Sequence, residues 1–274
     1  MFCEVTDDDK AKFLNDGYIS FPAITTQEEV AWIREIYDQL FADRRGAEKG
    51  DMFDFASTTA IGETTAQVPQ LLNPSKYDKR LLETQFRKNC LEVAQKLLGE
   101  GAEVVFEHAM MKPPFNGGVT VWHQDSAFYE KYTNYESATF WMPLQDVNQA
   151  NGCLEFIPGS NNGPLLPHHS VGDDPRVHGL EAIGVDTSKA VPVPLPAGGV
   201  SIHLSGTLHY AGPNPTAAPR RAYALGIGVK QRKAILRTEH PWNVARRNHM
   251  LESMGVVDRL KVRAKDAAKS ILRR

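Results

Sequence analysis

Cysteine is scarce in this sequence, and its few positions form no recognisable framework. Cys3, Cys90 and Cys153 are the only three among 274 residues, and no Cys-x-x-Cys motif occurs. An odd number of widely separated thiols indicates neither a disulfide framework nor a cysteine zinc site. We therefore expect reduced cysteines and a reducing compartment, the cytoplasm.

Long apolar runs and an excess of one charge are also missing. No uninterrupted apolar stretch approaches the roughly 18 residues that a spanning helix needs, and residues 1–9 include four acidic side chains. These features predict neither an integral membrane segment nor a secretory signal. The formal net charge of −2 argues against nucleic acid as a partner.

The first third of the chain has helical patterns. A helix is predicted after Thr6, and a second after the capping pair Thr26 and Glu29, where apolar residues recur at helical spacing. Residues 78–98 carry the pattern of a third helix, which ends at a glycine. Residues 44–70 hold no period, which predicts a long loop.

From residue 101 onward, short β-branched and apolar runs alternate with Gly and Pro turns, which is typical of strands. The predicted strands are residues 104–112, 119–122, 138–147, 153–157, 191–195, 200–204 and 221–229. Many short strands after a helical third predict a mainly β protein with flanking helices. Its core is expected to be a double-stranded β-helix, a cupin-like jelly roll.

We expect residues 1–274 to form a single domain. Its expected parts are a helical N-terminal buttress over about 1–100, the jelly-roll core over about 101–230 and a helical C-terminal extension over about 231–274. Residues 258–274 have the pattern of a basic amphipathic helix. Two interpretations stay open for it: a solvated helix docked on the sheet, or a helix that contacts an anionic surface.

The strongest chemical signal is the triplet His123-Gln124-Asp125. Residues two apart on a β-strand point to the same face, so the His123 imidazole and the Asp125 carboxylate can bind one ion. A second histidine would complete the 2-His-1-carboxylate triad of non-haem Fe(II) sites, which leaves open positions on the metal.

His209 is the preferred second histidine, because turns at Gly206 and at residues 212–214 can hold it on a short strand. His203, on the preceding strand, is the alternative. The remaining histidines are interpreted as follows: His108 as a core histidine within a strand, His168, His169 and His178 as solvent-exposed or lid residues of a polar loop, and His240 and His249 as lying outside the sheet.

Arg220 begins a strand that is expected to neighbour the strand of His209. A guanidinium there can grip a carboxylate with two parallel hydrogen bonds, which suits a 2-oxo acid that chelates the iron through its other end. Arg221 is the competing candidate for this carboxylate-binding role. The alternative for both arginines is an ordinary charged residue at the surface. Lys112, at the end of a predicted strand, is interpreted as a solvated lysine.

Three motifs, in this order, resemble the phytanoyl-CoA dioxygenase (PhyH) family of Fe(II)/2-oxoglutarate oxygenases. They are the His123 triplet, the run over residues 141–160 and the segment over residues 209–220, and the resemblance spans about residues 10–230. It implies a dioxygenase that uses Fe(II), 2-oxoglutarate and O2 to oxidise a C–H bond of a small-molecule substrate, with hydroxylation as the favoured outcome. The co-substrate would be decarboxylated to succinate and CO2.

The resemblance also implies roles for individual residues. It makes His123, Asp125 and His209 the iron ligands, Arg220 the group that binds the distal carboxylate of 2-oxoglutarate, and Gln124 and Trp141 part of the co-substrate pocket. Tyr210 and Ala211 depart from the small residue and serine that commonly follow the distal histidine. We therefore expect a hydroxyl contact to the co-substrate to be missing.

Asp125 is retained where related halogenases have Gly or Ala to make room for chloride, which disfavours halogenation. Desaturation, epimerisation and ring formation remain alternatives to hydroxylation, and a non-catalytic, cupin-like metal-binding or regulatory protein is the alternative from another class. Because such an oxidation requires exclusion of water, we expect lid segments, with residues 52–70, 126–135 and 161–183 as candidates.

Overall fold

The computed structural model describes residues 3–58, 66–115, 117–130, 133–231 and 239–255. Residues 258–274, with the predicted basic helix, lie outside these ranges. The described helices are α1 (Asp7–Asp16), α2 (Gln27–Ala42), α3 (Gln85–Leu98) and α4 (Pro241–Ser253). The described strands are β1 (Tyr18–Phe21), β2 (Met52–Asp54), β3 (Pro69–Leu72), β4 (Ala102–Lys112), β5 (Thr120–His123), β6 (Tyr135–Pro143), β7 (Leu154–Phe156), β8 (His168–Ser170), β9 (Leu180–Ala182), β10 (Val191–Val193), β11 (Val200–Leu204), β12 (His209–Ala211) and β13 (Arg220–Lys230). None of the described helices combines the length and apolar character needed to cross a membrane.

The strands form two main antiparallel sheets that face each other. The larger has the order β1-β11-β6-β13-β4-β3-β2 and the smaller has the order β10-β7-β12-β5, while β8 and β9 form a separate hairpin. Side chains from both sheets meet in one apolar cluster, where Tyr18 stacks on Phe156 with 4.5 Å between ring centroids. This arrangement confirms the predicted mainly β fold with a jelly-roll core.

Helices cover the outer face of the larger sheet. α2 and α3 bury apolar residues against it, and the Tyr223 ring of β13 lies 5.6 Å from Tyr37 of α2 and 5.3 Å from Phe86 of α3. Each fully buried side chain of this kind contributes roughly 1.5–3 kcal/mol. The outer face is thus fixed by packing, and the inner face of the same strands is left to position polar groups.

The helix starts follow the predicted caps with one difference. Thr6 and Asp9 form a complete capping box at α1. Thr26 caps α2, but Glu29 does not close a second box, because its carboxylate accepts hydrogen bonds from the backbone N–H groups of Gln85 (2.6 Å) and Phe86 (2.8 Å). Glu29 therefore ties the start of α3 to α2.

Two predictions for the first hundred residues are wrong. Residues 44–70 are not one loop, since they contain β2 and β3, and β3 pairs with β4. Residues 78–98 are not one helix, because a short 3-10 helix over Lys79–Glu83 precedes α3, whose N-cap is Thr84. Strands of three or four residues take their conformation from the partner strand rather than from their own pattern. The predicted helical buttress therefore contributes β2 and β3 to the larger sheet, in addition to β1, which lies at residues where a strand is expected.

Glu107 of β4 is a buried carboxylate that joins the larger sheet to the helices. It accepts hydrogen bonds from Arg87 of α3 (2.9 Å), from the Tyr223 hydroxyl (2.8 Å), and from the backbone N–H (3.1 Å) and hydroxyl of Ser75. All of these groups depend on one carboxylate, so its removal leaves several buried donors without an acceptor.

We predict that Glu107→Leu lowers the free energy of unfolding by about 3 kcal/mol, because it removes one partner of a buried ion pair. Glu103→Gln, on the same strand, breaks a surface pair with Lys230 (2.9 Å) and should change stability by less than about 1 kcal/mol. Urea denaturation followed by circular dichroism measures both variants. Equally small effects would contradict the role assigned to Glu107.

Candidate active site

His123, Asp125 and His209 are brought together at one end of the smaller sheet. His123 ends β5, Asp125 begins a short 3-10 helix, and His209 begins β12, where it pairs with His123. Asp125 Oδ1 lies 3.7 Å from His123 Nε2 and 3.6 Å from His209 Nε2. One ligand atom from each residue lies within 4.8 Å of the others, so the three can converge on a single ion.

Backbone carbonyls orient both imidazole rings. His123 Nδ1 lies 2.7 Å from the Val121 carbonyl oxygen, and His209 Nδ1 lies 3.0 Å from that of Thr207. If each Nδ1–H donates to its carbonyl, Nε2 carries the free lone pair that a metal requires. Burial lowers the pKa of both histidines, which favours this neutral form.

The two oxygens of Asp125 have different partners. Oδ1 faces the two histidines, whereas Oδ2 accepts a hydrogen bond from Thr139 Oγ1 (2.6 Å) and lies 3.3 Å from His203 Nε2. Burial raises the pKa of Asp125, but the imidazoles of His209, His203 and His123 around its carboxylate together lower it by more, and the net shift is downward. The carboxylate is therefore ionised, with Oδ1 available to a metal ion.

His203 lines the same cavity but is not one of the three grouped metal ligands. It lies on β11 of the larger sheet, and its ring centroid is 4.2 Å from that of His209. It approaches the Asp125 oxygen that Thr139 holds, not the oxygen that faces His123 and His209. His209, and not His203, therefore joins His123 and Asp125 in the metal-binding group. This agrees with the preference for His209 over His203 in the sequence analysis.

Arg220 is buried in the same cavity, with only 3% of its surface exposed. Its Cζ atom lies 5.4 Å from the centroid of the Trp141 ring, which also lines the cavity. Within the described part of the chain, its guanidinium has no hydrogen-bond or acidic partner. Burial lowers the pKa of Arg220 to about 10, so it stays protonated at neutral pH, and a ligand carboxylate would supply the missing partner.

The predicted surroundings of Arg220 need one correction. β13 pairs with β4 and β6 in the larger sheet, whereas β12 belongs to the smaller sheet. Arg220 and His209 therefore face each other across the cavity instead of lying on neighbouring strands, because the chain crosses between the two sheets at this point. Arg221 points outward, and its Nε donates to Asp38 at 2.6 Å, so it is not in the cavity.

Lys112 is not solvated, contrary to its interpretation from the sequence. It is completely buried, and its Nζ donates to the backbone carbonyls of Gly118 (3.0 Å), Ala211 (2.8 Å) and Gly212 (2.5 Å). These three acceptors match the three N–H groups of an ammonium. Lys112 therefore fastens the end of β12, which begins at His209, to the end of β4.

Gln124 is not placed in the cavity, which corrects its predicted position. Its side chain points away from the side of His123 and Asp125, where its amide accepts a hydrogen bond from Leu166 N–H (2.9 Å) and donates to the Gly206 carbonyl (2.8 Å). The alternation of side chains at the end of β5 explains this, because neighbouring residues face opposite sides. Gln124 ties the strand to two loops.

The cavity of about 290 Å³ lies between the two sheets and has an aromatic wall. The ring of His178 lies 4.1 Å from that of Phe53 and 6.1 Å from that of Phe128, and Phe55 lies 5.8 Å from His123. Each of the three predicted lid segments thus contributes to this wall, although residues 59–65 and 131–132 lie outside the described residues. Opening and closing of these segments stays a prediction.

Several residues of the site were missed or misassigned at the sequence level. His178 lines the cavity, which agrees with the lid alternative and not with solvent exposure, whereas His108 lines the cavity instead of the core and His168 is buried at 5% exposure. Thr139 and Gln70 also line the cavity. Thr139 could have been found from the sequence, because it lies two residues before Trp141 on β6 and side chains two apart on a strand point to the same face. The sequence offers no comparable signal for Gln70.

The residues present fit an Fe(II) ion and a 2-oxo acid. Two imidazole nitrogens and one carboxylate oxygen, without a thiolate, form the donor set of 2-His-1-carboxylate iron sites. The buried guanidinium of Arg220 independently requires an anion. The three metal-binding residues and Arg220 line the same cavity. A 2-oxo acid with a second carboxylate could therefore chelate the iron at one end and pair with Arg220 at the other.

Comparisons with known proteins agree with this chemistry. The family model described as "Phytanoyl-CoA dioxygenase (PhyH)" matches residues 13–222. The chain is 27% identical to a probable alpha-ketoglutarate-dependent hypophosphite dioxygenase of Stutzerimonas stutzeri, over 80% of this chain and 77% of that protein. It is 24% identical to a phytanoyl-CoA dioxygenase of Arabidopsis thaliana, over 81% of this chain and 88% of that protein.

Among solved structures, EvdO2 from Micromonospora carbonacea var. aurantiaca is 34% identical with a TM-score of 0.75, covering 89% of this chain and 98% of that one. The same protein complexed with 2-oxoglutarate is 31% identical with a TM-score of 0.72, covering 88% and 99%. The similarity thus extends over nearly the whole length of a protein that binds 2-oxoglutarate.

We predict that Thr139→Val weakens Fe(II) binding about 10- to 100-fold, the usual effect of losing a group that orients a metal ligand. The substitution keeps the shape of the side chain but frees Asp125 Oδ2 from its hydrogen bond. Thr139→Ser retains the hydroxyl and should bind iron as the unaltered protein does. Anaerobic calorimetric titration with Fe(II) measures the affinity, and equal values for the Val and Ser variants would contradict this role.

Proposed function

This chain belongs to the phytanoyl-CoA dioxygenase (PhyH) family of non-haem iron, 2-oxoglutarate-dependent dioxygenases, and on that basis we propose that it hydroxylates an unactivated C–H bond of a small molecule. Its cofactors are Fe(II), 2-oxoglutarate and O2. When bound, iron with these two co-substrates supplies an oxidation of C–H that is coupled to decarboxylation of 2-oxoglutarate to succinate and CO2. The residues of the chain bind the iron and the co-substrate and limit the access of water.

In this proposal His123, Asp125 and His209 hold the iron. Thr139 holds the second oxygen of Asp125 by a hydrogen bond, and His203 Nε2 lies 3.3 Å from the same oxygen, so Oδ1 is the oxygen that would be free to bind the metal. The fixed tautomers of the two histidines present Nε2 to the metal without rearrangement.

Arg220 binds the distal carboxylate of 2-oxoglutarate, and the face of Trp141 supports the guanidinium. This buried and unpaired cation is the single observation that carries the proposal. A protein that only binds a metal does not need a buried cation beside the metal site. An enzyme that uses a chelating dicarboxylate needs such a cation to bind the second carboxylate. The aromatic wall of Phe55, Phe128 and His178 limits the access of water to the same space.

Hydroxylation is favoured over halogenation because Asp125 occupies the position that a halide would need. We further propose that the protein acts as one oxygenase domain over residues 1–274, which the pairing of β1, β2 and β3 with strands of the core supports. The three cysteines are free and buried thiols, which supports a cytoplasmic place of action.

The first test is turnover. Aerobic incubation with Fe(II) and 2-oxoglutarate should release succinate, slowly without substrate and faster with it, and His123→Ala should abolish the release because the iron loses a ligand. Chromatography of the products measures succinate. Normal iron binding without any succinate, across a broad panel of small molecules, would contradict the enzymatic proposal.

The second test concerns the co-substrate. We predict that Arg220→Met raises the KM for 2-oxoglutarate about 10- to 100-fold, because charge-assisted hydrogen bonds worth about 1.5–3 kcal/mol are lost. Arg221→Met is the matched control, since Arg221 pairs with Asp38 at the surface, and its KM should not change. Succinate formation at varied 2-oxoglutarate concentration gives both values, and similar values for the two variants would refute the assignment.

A further inference from the structure

The cavity has a second polar wall that neither the metal triad nor Arg220 explains. Gln70 of β3 and His108 of β4 lie on neighbouring strands and both line the cavity. Gln70 is only 4% exposed, His108 is half-buried, and no hydrogen bond to either side chain is found within the described part of the chain. Because both side chains line the cavity, their donors and acceptors are available to a ligand.

Small residues of β13 give this wall its space. Ala222 lies opposite Met110 and Ala224 lies opposite His108 across the strand pair. Gly226 lies against the ring of Phe106, where an added Cβ would come within 2.1 Å of a ring carbon. The ring centroids of Phe106 and His108 are 5.3 Å apart, so His108 is supported on one side while the facing strand leaves room.

The wall shares its cavity with the metal triad and with the aromatic wall. Gln70, His108 and His178 all line the space that His123, Asp125 and His209 also line. A molecule bound beside the metal in this cavity can therefore contact Gln70 and His108.

The wall is also uncharged. Among the described lining residues, Asp125 is the one acidic and Arg220 the one arginine or lysine side chain, and the proposed function uses both. Burial lowers the pKa of His108 to about 4 and that of His178 to about 3, so both rings are neutral and can donate and accept hydrogen bonds. A carboxylate or phosphate in this space would be a buried charge without a partner, which is strongly unfavourable.

We propose that Gln70 and His108 bind the substrate, and that the substrate is an uncharged, hydroxyl-bearing small molecule of the glycoside or cyclitol type. The proposal rests on the proposed function, because the substrate must place its C–H bond beside the iron. Hydroxyl groups donate and accept, as do an amide and a neutral imidazole. The apolar side chains of Phe106 and Met110 can pack on the C–H face of a ring, whereas a plain hydrocarbon chain would leave Gln70 and His108 unpaired.

The experiment measures ligand binding by thermal unfolding of the full-length protein, loaded anaerobically with Fe(II) and 2-oxoglutarate. Three probe sets are compared: uncharged methyl glycosides and cyclitols; charged molecules, namely the corresponding uronic acids, sugar phosphates and acyl-CoA thioesters; and n-alkyl alcohols as the hydrocarbon set. The test variants are Gln70→Leu and His108→Leu. Gln67→Leu makes the same change at a neighbouring exposed position, and His108→Gln retains a donor and an acceptor.

We expect members of the uncharged hydroxylated set to raise the Tm of the unaltered protein by about 2 °C or more at saturation. The rise should be lost in Gln70→Leu and His108→Leu and kept in Gln67→Leu and His108→Gln. Because Gln70 and His108 are unpaired without ligand, their Leu variants should themselves unfold at or above the original temperature.

Equal or larger rises with the charged or hydrocarbon sets, rises that survive in both Leu variants, or no rise with any uncharged probe would each overturn the proposal. The proposed function is checked in the same samples, since 2-oxoglutarate alone should raise the Tm of the Fe(II) protein. If it does so while the hydroxylated probes fail, only the substrate proposal is refuted. If it does not, the failure lies with the co-substrate site.

Discussion

The carboxylate of Asp125 links the two sheets of the jelly roll, and the arrangement of the site depends on it. Its Oδ1 faces His123 and His209 of the smaller sheet, while its Oδ2 is held by Thr139 and approached by His203 from the larger sheet. A carboxylate bound on one side by the protein has one oxygen left for a metal ion. The larger sheet therefore does not supply an iron donor but orients one, because the hydrogen bond from Thr139 decides which oxygen of Asp125 faces the two histidines.

The sequence predicted the parts of the site that local geometry determines. The spacing of His123 and Asp125 requires only a strand, and the strand pairing brings His209 beside His123. The position of Arg220 relative to His209 was wrong, because the assignment of consecutive strands to opposite sheets is a property of the whole fold. Gln124 was misplaced for a simpler reason, since the alternation that places His123 and Asp125 on one face places the residue between them on the other.

Edge strands and buried polar residues were the other limits of prediction. β2 and β3 carry too few residues to show a period, so the pairing with β4 was not visible, and with it the position of Gln70. Lys112 was taken for a solvated residue because its three carbonyl partners come from segments distant in sequence. The same limitation applied to His108: its strand was predicted, but its partner on the neighbouring strand, the small residue Ala224, could not be read from the sequence.

The central claim is that one cavity holds iron on His123, Asp125 and His209 and holds the distal carboxylate of 2-oxoglutarate on Arg220. A crystal structure of the protein prepared anaerobically with Fe(II) and 2-oxoglutarate tests it most directly. The account predicts iron bound by the two Nε2 atoms and Asp125 Oδ1, with the far carboxylate of the co-substrate on the Arg220 guanidinium. Iron bound by His203 in place of His209, or a co-substrate carboxylate that does not contact Arg220, would contradict the account.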